Sequence, residues 1–304
     1  MNLAASLEGP AGAPVLVLGN SLGTSCAVWE PQLAAFRRRF RVLQYEHRGH
    51  GDAAGPGRSP APPGPYSIAA LGADVLALLD SRGIDKVLYC GISLGGMVGM
   101  WLAAHAPERI TALGLCCTSA YLPAADLWAD RAALARSGDM SGLAGQVVGR
   151  WFPPCFQASR PQVTAAFAAV LASTEPEGYA GCCEAVAAMD LRPDLGSITA
   201  PTLMISAVED PATPPWHGAL IASGIAGARF SVVRGGAHLA NVSVPGEITA
   251  RLLDHLRAAA GAPVSAGLAG HRPRIQRVLG APAAGPRRGG PSRRQQRAPD
   301  DAGH

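Results

Sequence analysis

A mostly parallel α/β sheet with helices on both faces is the fold class that this sequence predicts, and three observations carry it. Short apolar runs ending in turn residues alternate with segments whose apolar side chains recur at helical spacing. One of these runs leads through Gly91-Ile92-Ser93-Leu94-Gly95 directly into a helical segment. The composition of the 304 residues, 48% apolar and 16% charged, supplies a large core and excludes a disordered chain, a collagen-like repeat and a disulfide-stapled miniprotein. Only 5% of residues are aromatic, so that core is mainly aliphatic.

Along the chain, Val15–Leu18 ends in Gly19-Asn20-Ser21 and Arg41–Glu46 carries Val42, Leu43 and Tyr45; both read as short buried strands. Between them Val28, Trp29, Leu33 and Phe36 share a helical face, with Arg37–Arg39 in the last turn, where cations suit the helix dipole. Ile68, Leu71, Val75, Leu78 and Leu79 form the next helical face. Val87–Cys90 is a strand, Gly95–His105 a helix stopped near Pro107, and Ile110–Cys117 a strand. Thr202–Ser206 and Arg229–Val233 are two more strands, and Ile248–Ala260 ends the pattern with a stripe of Ile248, Leu252, Leu253 and Leu256. Strands alternating with helices of this length imply βαβ units and a parallel sheet.

Residues 121–192 interrupt the alternation with helix formers, among them Asp130–Ser137 and Pro161–Leu171. Their place between two core strands predicts an inserted helical lid, dividing the core into residues 1–120 and 193–260. From 261 to 304 the chain turns to Ala, Gly, Pro and Arg and is expected to be a disordered tail. That tail holds eight arginines and two acids, a net +6, which leaves residues 1–260 at −2 although the whole chain is at +4. Without aromatics or a folded platform, this basic tail does not make a nucleic-acid surface, and no nucleic-acid partner is expected.

The seven cysteines include no C-x2-C pair, so small apolar fillers in a reducing compartment are expected rather than metal ligands or disulfides. The first residues lack a basic n-region and a long apolar h-region, and no apolar run reaches the roughly 18 residues of a bilayer span. A cytoplasmic protein without a membrane partner follows as the expectation.

Gly91-Ile92-Ser93-Leu94-Gly95 fits G-x-S-x-G, a weak pattern alone but a strong one between a strand and a helix, where it forms a nucleophile elbow. A serine hydroxyl needs a base. His238 is the best placed of eight histidines, on a glycine-rich loop past the last strand and at the same sheet edge as Ser93. In the chain order Ser, acid, His, the orienting acid is Asp210 or Glu209, with Asp210 preferred because Pro211 fixes the backbone after it. The oxyanion hole would take the Leu94 N–H and, from the Asn20-Ser21-Leu22-Gly23 loop, the Leu22 N–H.

These residues, with Leu18-Gly19-Asn20-Ser21-Leu22-Gly23-Thr24, Arg48-Gly49-His50-Gly51, His105-Ala106-Pro107-Glu108-Arg109 and Ala237-His238-Leu239-Ala240-Asn241-Val242, resemble the 3-oxoadipate enol-lactonases of the α/β-hydrolase superfamily. The resemblance runs from about Leu3 to Leu256. It implies an α/β-hydrolase fold, with Ser93 as nucleophile, Asp210 as acid and His238 as base. It also implies a small anionic lactone as substrate, no cofactor and no metal, and a place in aromatic catabolism by the β-ketoadipate pathway. Two positions depart from the family: its usual aspartate is Glu46 and a frequent serine is Ala53. A carboxylate on the substrate calls for a cation, and residues 121–192 offer Arg131, Arg136, Arg150 and Arg160, of which Arg131 and Arg150 are named, with Trp128 and Trp151 as walls. Trp101 is expected in the core. The alternatives are a general carboxylesterase or other small-substrate hydrolase of the same fold, and a catalytically dead ligand-binding protein.

Overall fold

The computed structural model describes residues 3–51, 60–123 and 125–261. A seven-stranded sheet forms its centre: β1 (Ala5–Glu8), β2 (Val15–Gly19), β3 (Arg41–Tyr45), β4 (Val87–Ile92), β5 (Ile110–Cys116), β6 (Thr202–Ala207) and β7 (Arg229–Val233). The order across the sheet is β1-β3-β2-β4-β5-β6-β7. Every neighbouring pair is parallel except β1 with β3, which is antiparallel. The six strands read from the sequence are all present. β1 escapes that reading because its four residues alternate between half-buried and exposed at the sheet edge, with one neighbour only.

The helices are α1 (Glu30–Phe36), α2 (Ile68–Ser81), α3 (Leu94–His105), α4 (Ala125–Arg136), α5 (Met140–Val147), α6 (Pro154–Ser159), α7 (Pro161–Ala172), α8 (Pro176–Ala188), α9 (Pro215–Gly224), α10 (Ala240–Ser243) and α11 (Pro245–Ala259). The first predicted helix is divided: Cys26–Trp29 forms a 3-10 turn, started by Ser25 Oγ accepting from the Ala27 N–H, before α1 begins. The arginines expected in its last turn lie beyond it, and Arg37 pairs instead with Glu8 of β1 at 3.0 Å. α2 carries the predicted buried face and is capped by Ser67 Oγ, which accepts from Ala70 N–H at 3.0 Å.

α1 packs on α11 and α2 on α3, so helices cover the sheet on both faces. β2, β4 and β6 are buried along nearly their whole length, as continuous apolar strands in a parallel sheet must be. Along α11, Ile248, Leu252 and Leu256 are buried as expected. His255 is buried with them and donates from Nε2 to the Leu113 carbonyl at 3.0 Å.

α4 to α8 leave the sheet after β5 and return before β6. An antiparallel bridge between Tyr121 and Asp190 closes their neck, and Arg192 stacks on Tyr121 at 3.8 Å while pairing with Asp190 at 2.6 Å. Five of the seven cysteines are buried and all are free thiols. Among the described residues no helix is long and apolar enough to cross a membrane. The expected disordered tail lies outside the described residues beyond Gly261, and so does Ala53.

Candidate active site

The elbow begins where β4 gives way to α3. Ser93 holds φ 53 and ψ −118, a conformation that costs a non-glycine residue about 1–3 kcal/mol and persists only where its surroundings enforce it. Its N–H donates to Cys116 O at 3.0 Å, and its carbonyl accepts from Met97 N–H at 3.0 Å and Thr118 Oγ1 at 2.7 Å. The flanking glycines serve a different need from the turn conformation that the pattern suggests, because neither has positive φ. A Cβ on Gly95 would stand 2.2 Å from the Gly19 carbonyl, and one on Gly91 2.2 Å from the Gly95 carbonyl oxygen. Close approach of α3 to β2 therefore requires Gly95, and the close approach of β4 to the start of α3 requires Gly91. Gly95→Ala is expected to cost about 1–3 kcal/mol of stability in urea unfolding, the scale of overpacking a filled core. It should also lower activity, because the Gly95 N–H donates to Asn20 O of the neighbouring loop at 2.9 Å.

His238 meets Ser93 from the loop after β7. Its Nε2 is 2.8 Å from Ser93 Oγ, and its Nδ1 is 2.9 Å and 3.1 Å from the two Asp210 oxygens. A carboxylate only accepts, so Nδ1 bears the proton and Nε2 presents a lone pair to the serine hydroxyl. Asp210 is 2% exposed, while Glu209 points to solvent. Their order on the turn decides between them: Glu209 N–H donates to Gly236 O, joining the acid loop to the histidine loop, and Asp210 turns inward.

Asp210 is well bound. Oδ1 accepts from Ala212 N–H at 2.8 Å and Thr213 N–H at 3.0 Å, and Oδ2 from Thr213 Oγ1 at 2.6 Å. Burial alone would raise its pKa, but His238 and the Thr213 hydrogen bonds outweigh that and hold the carboxyl well below the usual carboxylate range. Thr213 was not picked out from the sequence, although aspartate followed three residues later by threonine is a turn signature that can announce such support.

The loop Asn20–Gly23 lies opposite. Neither the Leu22 nor the Leu94 N–H has an internal acceptor among the described residues, and both residues line the cavity above Ser93. The Arg48-Gly49-His50-Gly51 segment braces this loop. His50 accepts from Gly23 N–H at Nε2, 3.0 Å, and donates from Nδ1 to Arg48 O, 2.8 Å; His47 donates from Nε2 to Asn20 O, 3.1 Å. Burial pushes His47 down to about 3 and His50 down to about 4, so both rings are neutral near pH 7, as these bonds require of His50. Glu46, the departure from the family pattern, accepts from Cys26 N–H at 2.9 Å and Asn20 Nδ2 at 3.2 Å and so holds the same loop.

The cavity over the serine measures about 230 Å³ and is mostly apolar. Of the four arginines that residues 121–192 offer, the two named from the sequence, Arg131 and Arg150, line it. Arg131 lies over Trp128, also in the wall, at 4.9 Å, and Arg150 reaches only the Pro211 carbonyl at 3.4 Å; neither has an acidic partner among the described residues. Arg136 is engaged by Glu177 and Glu184, and Arg160 is exposed away from the cavity. Trp151 is a correction. Its ring is buried edge-on to Phe167 behind the wall, because the 148–152 turn directs it into the helical layer. Its carbonyl accepts from Leu239 N–H at 2.9 Å, tying the inserted helices to the His238 loop. Trp101 stacks on His105 at 4.8 Å, away from the cavity. His217, in α9, lines the cavity and was not assigned from the sequence. Among the described residues no cluster of three or more His, Cys, Asp or Glu could hold a metal.

Comparison with known proteins places the fold in a family. Residues 14–243 match a family described as alpha/beta hydrolase fold. The chain is 39% identical to 3-oxoadipate enol-lactonase 2 of Acinetobacter baylyi over 78% of its own length and 86% of that protein. The crystal structure of the enol-lactonase from Burkholderia xenovorans superposes with a TM-score of 0.79 at 40% identity, covering 84% of this chain and 96% of that one. A thermophilic esterase from Thermogutta terrifontis superposes at 0.78 with 25% identity, over 85% and 94% of the two chains.

Proposed function

The chain belongs to the α/β-hydrolase family and within it to the 3-oxoadipate enol-lactonases, and on that premise we propose that it opens 3-oxoadipate enol-lactone to 3-oxoadipate by acyl transfer through Ser93. The observation that carries this reading is the continuous Asp210–His238–Ser93 hydrogen-bonded chain at the floor of an apolar cavity whose wall holds two guanidinium groups without an acidic partner among the described residues.

Ser93 Oγ attacks the lactone carbonyl while His238 Nε2 takes its proton. The Leu22 and Leu94 N–H groups stabilise the oxyanion, and the Asp210 carboxylate stabilises the imidazolium. Collapse of the tetrahedral intermediate breaks the ring C–O bond, and His238 returns its proton to the departing enol oxygen. A water activated by His238 then releases the acid, and the enol relaxes to the ketone. Residues 121–192 act as the lid that closes this reaction off from solvent, and the substrate carboxylate rests near Arg131 and Arg150.

The decisive assay follows the ultraviolet loss of the enol-ester beside a short p-nitrophenyl ester. Efficient turnover of the lactone supports the proposal; turnover of the ester alone would keep the relay but make the protein a general carboxylesterase. Arg131→Ala is expected to raise KM for the lactone about tenfold to a hundredfold, the scale of one charge-assisted hydrogen bond, with little change on the uncharged ester. Equal effects on the two substrates would remove Arg131 from carboxylate binding.

A further inference from the structure

One titratable side chain of the cavity wall takes no part in the acyl transfer. His217, the third residue of α9, lines the same cavity as Ser93 and His238 and is 4% exposed. Its Nδ1 is 2.7 Å from Ser119 Oγ. The single proton of that hydroxyl is donated to the Tyr121 carbonyl at 2.7 Å, and the Tyr121 N–H donates to Ser119 Oγ at 3.1 Å. With that proton so placed Ser119 accepts from His217, which puts the imidazole proton on Nδ1 and leaves a lone pair on Nε2. Burial outweighs the opposing pull of Asp210 and holds the ring down to about 4, so it is neutral near pH 7. Trp216 stacks on it with ring centroids 3.5 Å apart. Nε2 has no protein donor among the described residues and is not one of the fully enclosed unsatisfied atoms, so it is open to a ligand.

The groups that the acyl-transfer reading sets against the substrate's own oxygens are donors: the Leu22 and Leu94 amides and the Arg131 and Arg150 guanidinium groups. They match a lactone carboxylate, which brings only acceptors. A bare acceptor has no partner on such a substrate until the ring opens, when the broken C–O bond yields a hydroxyl. We propose that His217 Nε2 accepts this nascent hydroxyl and holds it away from the acyl carbon.

The need is specific to cyclic esters. The alcohol of an open-chain ester diffuses away, whereas that of a lactone remains tethered to the acyl-enzyme at a very high effective concentration and can close the ring again. Atoms balance without a further reactant. The Ser93 Oγ–carbon bond forms, the ring C–O bond breaks, and the serine proton passes through His238 to the leaving oxygen, whose O–H then donates to His217. Because the contact arises only as the ring opens, its loss lowers kcat and leaves KM near its original value.

The inference rests on the acyl-transfer reading above, and the test separates the two. His217→Phe, which keeps a ring against Trp216 but lacks the acceptor, and His217→Gln, whose carbonyl oxygen can accept, are assayed on 3-oxoadipate enol-lactone, δ-valerolactone and p-nitrophenyl acetate, with thermal unfolding recorded for each. On the lactones the Phe variant is expected to lose about tenfold more kcat than on the ester, the scale of one hydrogen bond, with the Gln variant recovering most of the difference. An equal loss on lactones and ester, or no loss on lactones, would overturn the role of His217. If the wild-type protein ignores the enol-lactone but opens δ-valerolactone, only the substrate assignment fails and the ratio is read on δ-valerolactone. Failure of the wild type on both lactones overturns both proposals.

Discussion

Ser93→Ala is expected to lower kcat on 3-oxoadipate enol-lactone by about 10⁴–10⁶-fold, the range over which serine hydrolases lose activity when the nucleophile is removed. Among the described residues the Oγ atom makes one hydrogen bond, to His238, and the other hydrogen bonds of residue 93 belong to its backbone. The alanine variant should consequently keep the fold, the cavity and KM, so that the loss falls on the chemical step. Spectrophotometric assay of the lactone, combined with a thermal unfolding midpoint within a few degrees of wild type, checks both halves of the expectation. A folded variant retaining more than a few per cent of activity would exclude the acyl-enzyme route.

Asp210→Asn should cost about 10³–10⁴-fold in kcat, comparable to the same change in the serine-protease triad. The amide is nearly isosteric, and its oxygen can still accept from the Ala212 and Thr213 N–H groups. Its NH2 group, however, would donate to His238 Nδ1, which moves the imidazole proton to Nε2 and directs it at Ser93 Oγ. The serine then loses its base although the distances barely change. Glu209→Ala is the control. That side chain is exposed, so activity should remain within about twofold, as for ordinary surface substitutions. A large loss at Glu209 with a small one at Asp210 would reverse the assignment made between these adjacent acids.

The features legible in the sequence are those written into contiguous residues. Val87–Cys90 is apolar and β-branched or bulky, Gly91 to Gly95 allow two backbones to approach, and the stretch after Leu94 keeps helical spacing. Strand, elbow and helix are therefore declared by one segment. The same is true of the six core strands, the predicted face of α2 and the placement of His238 after the last strand. Elements with a weak local signal escaped. β1 is short and half exposed, and α9 opens on Pro215 directly after Pro214 with almost no amphipathic face, so its apolar periodicity gives no warning of it.

Sequence by itself determined the fold class, and it singled out the proposed nucleophile and the chain order of its proposed partners, because an elbow serine, its flanking glycines and alternating apolar periods are local requirements. Only the tertiary structure set Asp210 against His238 and Arg131 and Arg150 in the cavity wall, as the sequence had preferred, and put Trp151 behind that wall, as it had not. It also brought Ser119 and His217, 98 residues apart, within hydrogen-bond distance. Each of these depends on how side chains from separate elements converge at one sheet edge, and the direction of a side chain on a turn or at a helix start is set by the partners it packs against rather than by its neighbours in sequence.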